Sequence, residues 1–217
     1  NEYTNRSITF GNRETKLPET DDDVDKGKLA HGLTLVELKE QNGQWVMVKD
    51  SPLNRRVTPD TPFEVVGPVR GSRLIQTAAD PQGTRILGTF NNCGNGRTPW
   101  GTYLACEENF NGYFSSSQGE AFEQNAEQKR YGIANSGKDW GYAWAQTDAR
   151  FDVTAEPNEP NRHGWVVEVD PAGRKQPVKL TALGRFKHEN AEVVIAKNGK
   201  VVVYLGDDER GEFLYRF

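Results

Sequence analysis

The chain's 217 residues fit one domain or one and a half, and 35% hydrophobic with 27% charged residues excludes a disordered polypeptide. A net charge of -4, with no basic stripe to neutralise phosphates, argues against nucleic-acid binding. No apolar run approaches the roughly 18 residues of a membrane-spanning helix.

With 22 Gly, 11 Pro and 5 Trp against a single Met, the composition favours strands joined by tight turns over a helical bundle. Residues 1–30 read as a polar arm, and the acidic run Glu19, Asp21, Asp22, Asp23 and Asp25 reads as solvated rather than as a calcium loop. From His31 the pattern alternates: Gly32 to Leu38 and Gln44 to Val48 flank the turn Gln41-Asn42-Gly43, which predicts a hairpin. Arg85–Asn92 and Gly101–Asn109 are expected to pair, leaving Cys93 at the loop end. Residues 115–162 differ, with Ser115-Ser116-Ser117, a Glu/Gln-rich stretch and Glu156-Pro157-Asn158-Glu159-Pro160. They read as a loop-rich insertion with a short helix around Ala121–Tyr131. Strand patterns return at Gly164–Asp170, in the hairpin Glu192–Ala196 and Lys200–Tyr204 around Lys197-Asn198-Gly199, and at Phe213–Phe217. Turns every ten or so residues indicate an all-β sandwich, barrel or propeller, and the strand-turn-strand units favour a β-propeller, here an incomplete ring over residues 31–217.

Three segments concentrate groups able to hold hard cations or phosphate. Asn91 to Phe110 combines a Gly- and Asn-rich stretch around Cys93 with a strand ending in Cys106-Glu107-Glu108. Adjacent carboxylates on a strand face opposite ways, so only one of Glu107 and Glu108 can serve a given site, and Cys106 shares a face with Glu108. Gly184 to Asn190 crowds Arg185, Lys187, His188 and Glu189 before a strand, and Gly206 to Gly211 places Asp207, Asp208, Glu209 and Arg210 after one. Acidic clusters of that kind suit calcium, which takes six to eight oxygen ligands. The two cysteines leave a metal ligand, two buried thiols or a disulfide open, and the expected hairpin makes the disulfide span too long. His188 reads as a packing residue or one behind a ligand rather than as a ligand itself, Asn54-Arg55-Arg56 as a structural ion-pair segment rather than an anion site, and Trp45, Trp100 and Trp165 as core.

The blocks "NNCGNGRTPWGTYLACEENFNGYF", "GRFKHENAEV" and "GDDERGEFLYRF", with "HGLTLVEL", "SPLNRRVTPDTPFEVVGP" and "GWVVEVDP" between them, resemble the PhoX family of alkaline phosphatases from about His31 onward. The resemblance implies a monomeric, periplasmic or secreted propeller enzyme, its export signal not included in this span, that hydrolyses small phosphomonoesters with metal-activated oxygen rather than a Ser or Cys nucleophile. It implies iron and calcium as cofactors. Cys93, with Cys106 as the fallback, Glu108 and Glu189 match metal ligands, Asp208, with Asp207 or Glu209, matches a calcium ligand, and Arg185 and Arg210 match phosphate contacts. It also implies further ligands beyond this span, so that these residues alone carry about half a site and are inactive. The other readings of such a chain are a calcium-dependent propeller esterase or lactonase, and a non-catalytic calcium-binding propeller.

Overall fold

The computed structural model describes residues 6–11 and 14–217. Among the described residues three short α-helices, α1 (Arg6–Phe10), α2 (Asp21–Ala30) and α3 (Ala126–Arg130), accompany thirteen strands. The all-β expectation holds, but among the described residues no sheet closes on itself.

The largest sheet has six strands: β5 (Pro62–Val66), β6 (Arg85–Leu87), β7 (Asn92–Arg97), β8 (Tyr103–Glu107), β9 (Val166–Val169) and β10 (Val178–Leu180), in the order β6-β5-β10-β9-β8-β7. Only β5 and β10 run parallel. A three-stranded antiparallel sheet, β11 (His188–Ile195), β12 (Val201–Asp207) and β13 (Leu214–Arg216), packs against β7 and β8. Leu104, Cys106, Val166, Ala191, Val203 and Leu205 fill the space between the two sheets. β1 (Leu33–Leu35) pairs with β4 (Arg55–Val57), and β2 (Leu38–Gln41) with β3 (Gln44–Met47). The Asn42-Gly43 turn forms where alternation placed it, with both residues at positive φ (52° and 79°), the conformation a two-residue hairpin requires.

The acidic run is not solvated coil. Thr20 and Asp23 form a reciprocal capping box, and Asp21 to Asp23 sit against the positive end of the α2 dipole. Val24 and Lys28 are buried, and Lys28 bonds Asp148 at 3.1 Å, so α2 is docked on the domain. Residues 1–5 and 12–13 of the expected arm lie outside the described residues.

Between β8 and β9 the chain leaves the sheet and returns to the adjacent strand. Rather than a bare loop, this stretch builds its own aromatic core, in which Phe110, Tyr113, Phe114, Trp144 and Phe151 pack with Phe90 and Val24. The expected helix there shortens to α3 with a 3-10 turn at Gly119–Ala121. Of the three tryptophans read as core, only Trp165 is buried. Trp45 is 70% and Trp100 53% exposed. Trp45 lies on the two-stranded β2–β3 hairpin, whose faces carry no covering layer, and Trp100 tips the β7–β8 turn, where its indole donates to Glu168 at 2.8 Å. Arg55 and Arg56 donate to backbone carbonyls of Asp170, Pro171, Leu29 and His31 rather than to carboxylates.

Candidate metal centre

The Asn/Gly-rich stretch is a strand, not a loop, and its register differs from the expected hairpin. β7 and β8 meet across Thr98–Thr102, with Asn92 opposite Glu107 and Arg97 opposite Tyr103. Cys93 therefore lies at the open end of the hairpin, beside the Glu107-Glu108 step. A bulge between Asn92 and Asn95 gives β7 one extra residue there, a device that re-aims side chains.

Glycine brings in the third strand. A Cβ on Gly94 would stand 2.1 Å from the Glu189 carbonyl oxygen, and one on Gly96 1.9 Å from that of Ala191. β11 can lie this close to β7 only because both positions lack side chains, and the approach sets Glu189 over Cys93. The thiol of Cys93 reaches Glu189 Oε2 at 3.5 Å. One donor atom from each of Cys93, Glu108 and Glu189 falls within 4.8 Å of the other two. Donors on opposite sides of a first-row transition ion stand about 4.4 Å apart, so one such ion fits the three with small adjustments. Two carboxylates with one thiolate offer both hard and soft character to that ion.

Glu108 is held from its backbone. Asn91, at φ 48°, accepts the Glu108 N–H on its carbonyl at 3.0 Å and the Asn109 N–H on its side-chain oxygen at 2.8 Å. The Asn109 amide donates to Glu108 Oε1 at 2.6 Å. Glu107 turns the other way, as strand alternation requires, into a fully buried polar network. It accepts from Lys179 Nζ at 2.7 Å and from the backbone N–H groups of Gly164 and Trp165 at 3.0 and 3.1 Å. Burial opposes its charge, but Lys179 and His163 outweigh that and hold the Glu107 carboxyl down to about 2. Neither Lys179 nor Asn91 carries a signal in the sequence that separates it from ordinary polar residues.

The other expected site residues are placed differently. Cys106 is wholly buried among Leu104, Val166 and Leu205, and burial pushes its thiol up. It is a core residue and not part of the three-donor group. Both cysteines are free, so the disulfide does not form. Arg185 is committed elsewhere: it donates to the carbonyls of His163 and Pro160 at 2.8 and 2.6 Å and stacks on Tyr131 and Phe110. That geometry clamps the segments around Pro160 and Tyr131 together. Asp207, at the end of β12, lies opposite His188 in the strand register and accepts from the Glu209 N–H at 3.2 Å, and burial raises its carboxyl. Asp208 is exposed and Glu209 pairs with Lys187 at 2.6 Å. Among the described residues neither aspartate joins the three-donor group. Arg210 is exposed beyond them. His188 packs on Phe186, the rings tilted with centroids 3.7 Å apart, and is bonded to the Gly184 carbonyl.

The family model for "Alkaline phosphatase PhoX" matches residues 1–217. The chain belongs to the PhoX alkaline phosphatase family. Among solved structures it resembles Pseudomonas fluorescens PhoX in complex with vanadate, a transition state analogue, with a TM-score of 0.91 and 47% identity. That match covers 100% of this chain and 37% of the P. fluorescens PhoX chain, so the span is little more than a third of its PhoX relative's length. No curated protein matches it. No helix among the described residues of this PhoX chain is long and apolar enough to cross a membrane.

Proposed function

We propose that this chain supplies part of the metal centre of an alkaline phosphatase hydrolysing small phosphomonoesters, with Cys93, Glu108 and Glu189 as ligands. The convergence of those donors from β7, the end of β8 and β11 carries the reading. Vanadate, the transition state analogue in the P. fluorescens relative, supports the reaction class. The thiol beside two carboxylates favours iron over a calcium-only site, since calcium takes oxygen ligands. Asp207 and Asp208, at the oxygen-rich end of β12, suit calcium.

Bound cations would neutralise the substrate phosphate and act as Lewis acids toward its oxygens. The chain's own contribution is placement. Glu108 is nearly inaccessible and Glu189 half-buried, so their carboxylates meet a ligand in a partly dried environment where charges act strongly. Arg210, exposed after β12, would offer a guanidinium fork to the phosphate. Its three-stranded sheet would form part of a propeller ring in a monomeric, periplasmic or secreted enzyme, completed by the part of the family's length outside this span.

Metal analysis and p-nitrophenyl phosphate hydrolysis test the reading, on this chain and on a family-length enzyme containing it. Iron that is lost in Cys93→Ser is expected, with phosphatase activity in the longer enzyme that collapses on chelation and none from this chain alone. Calcium without iron would sink the iron assignment, and turnover of carboxylic esters without phosphate release would sink the phosphatase.

A further inference from the structure

Asn91 is tied to more than Glu108. Its side-chain oxygen accepts from Asn109, so its Nδ2 group must point the other way, and it donates to the Tyr113 hydroxyl at 2.9 Å. Tyr113 in turn lies 2.9 Å from His31 Nε2. His31 Nδ1 stands 2.8 Å from the carbonyl oxygen of Gly27 in α2, an atom that can only accept. The proton of neutral His31 is therefore on Nδ1, its Nε2 accepts from Tyr113 O–H, and Tyr113 is left to accept from Asn91. Burial keeps the imidazole neutral, drawing His31 down to about 4. Every donor and acceptor in the sequence Asn91, Tyr113, His31, Gly27 runs in one direction, and each of the three side chains is buried.

We infer that Asn91 is a positioning residue for the metal centre, its amide oriented by Tyr113 and His31 so that α2 sets the placement of Glu108. The inference rests on the reading of Cys93, Glu108 and Glu189 as metal ligands. Partners one layer behind a ligand fix its orientation, and their loss weakens metal binding about 10- to 100-fold. Asn91→Gly is the informative variant, because glycine tolerates the left-handed φ and keeps the backbone bond to Glu108 while deleting the amide. Tyr113→Phe removes one oxygen and keeps the ring.

Titration of the chain with Co2+ alone, following the thiolate-to-cobalt absorption that Cys93→Ser abolishes, reads the affinity. Asn91→Gly should weaken it by about 10- to 100-fold and Tyr113→Phe by a smaller factor in the same direction. In metal-free protein both should speed hydrogen exchange of the Asn109 amide. Phe151→Leu, in the same aromatic core, should lower stability and leave the affinity of folded protein unchanged. Unaltered affinity in Asn91→Gly and Tyr113→Phe overturns the inference alone. If Asn91→Gly does not fold, Tyr113→Phe decides. Wild-type chain without a Cys93-dependent band overturns the metal reading and the inference with it.

Discussion

The buried pair of Glu107 and Lys179 offers the most quantitative test of the fold that carries the centre. Both side chains are wholly inaccessible, and Lys179 Nζ also donates to the Arg162 carbonyl at 3.0 Å. The Glu107 carboxyl falls from an ordinary 4.5 to about 2. That difference corresponds to about 3 kcal/mol of preference for its charged form at neutral pH. Burial meanwhile pulls Lys179 down more strongly than Glu107 lifts it, so the ammonium returns part of that gain and the pair's net worth is smaller. Losing one partner is a different matter, because it leaves a buried charge. Lys179→Met should therefore destabilise the chain by about 3–5 kcal/mol in equilibrium urea unfolding at pH 7, with the m-value preserved. Glu107→Gln/Lys179→Met should be less destabilised than the sum of the single variants by about 2 kcal/mol. The pH dependence has a definite sign. In wild type a depressed carboxyl stabilises above about 4.5, and the contribution is lost as pH falls toward 2. In Lys179→Met the unpaired carboxyl is raised above 4.5 instead, so the gap to wild type should begin to narrow as pH falls toward 4.5 and go on narrowing below it. A loss under about 1 kcal/mol, or strict additivity, would refute the buried-pair argument.

The cysteines should separate in native labelling followed by mass spectrometry: Cys93, half-buried, alkylates in folded protein, whereas Cys106 reacts only on unfolding. Gly96→Ala should cost about 1–3 kcal/mol and lower metal affinity, because β7 and β11 must part and carry Glu189 off Cys93. Gly101→Ala, strained at φ 87° but with open space around its Cβ, should leave metal affinity unchanged. Arg185→Ala should show up as lost thermal stability, and Arg210→Ala as a raised KM for phosphomonoester in the family-length enzyme with stability intact. Trp45→Ser should stay within about 0.5 kcal/mol of wild type in urea unfolding, whereas Trp165→Ala should lose about 3–5 kcal/mol.

What was legible in the sequence follows a physical division. Alternation and turn chemistry are local, so the hairpins at Asn42-Gly43 and Lys197-Asn198-Gly199 appear where the pattern put them. The T-x-x-D signature of Thr20 to Asp23 is local too, and it marks the α2 start that a reading of charge alone took for solvated coil. The register of β7 is not local. Asn92-Cys93-Gly94-Asn95-Gly96-Arg97 has little strand propensity, and it is extended because β8 pairs with it on one side and β11 presses on it from the other. The glycines that read as loop flexibility are there to admit a neighbour's backbone. Arg185 shows the same limit from the opposite direction, since nothing in its neighbours along the chain reveals that Pro160 and His163 take its guanidinium.

The two adjacent glutamates show how the centre is divided. Strand alternation alone says that Glu107 and Glu108 must part, and it leaves open which one meets a cation from outside. The sheets decide. Leu104 and Cys106 face β11 and its sheet, so that side of β8 leads to Glu108, Cys93 and Glu189. Ala105 and Glu107 face the opposite side, where Lys179 from β10 donates to Glu107 at 2.7 Å. Each carboxylate is buried, and burying a charge is costly unless it is paired. Glu107 is paired with Lys179 at 2.7 Å. On the other face Glu108 converges with the Glu189 carboxylate and the Cys93 thiol, the donor group proposed above as the metal site.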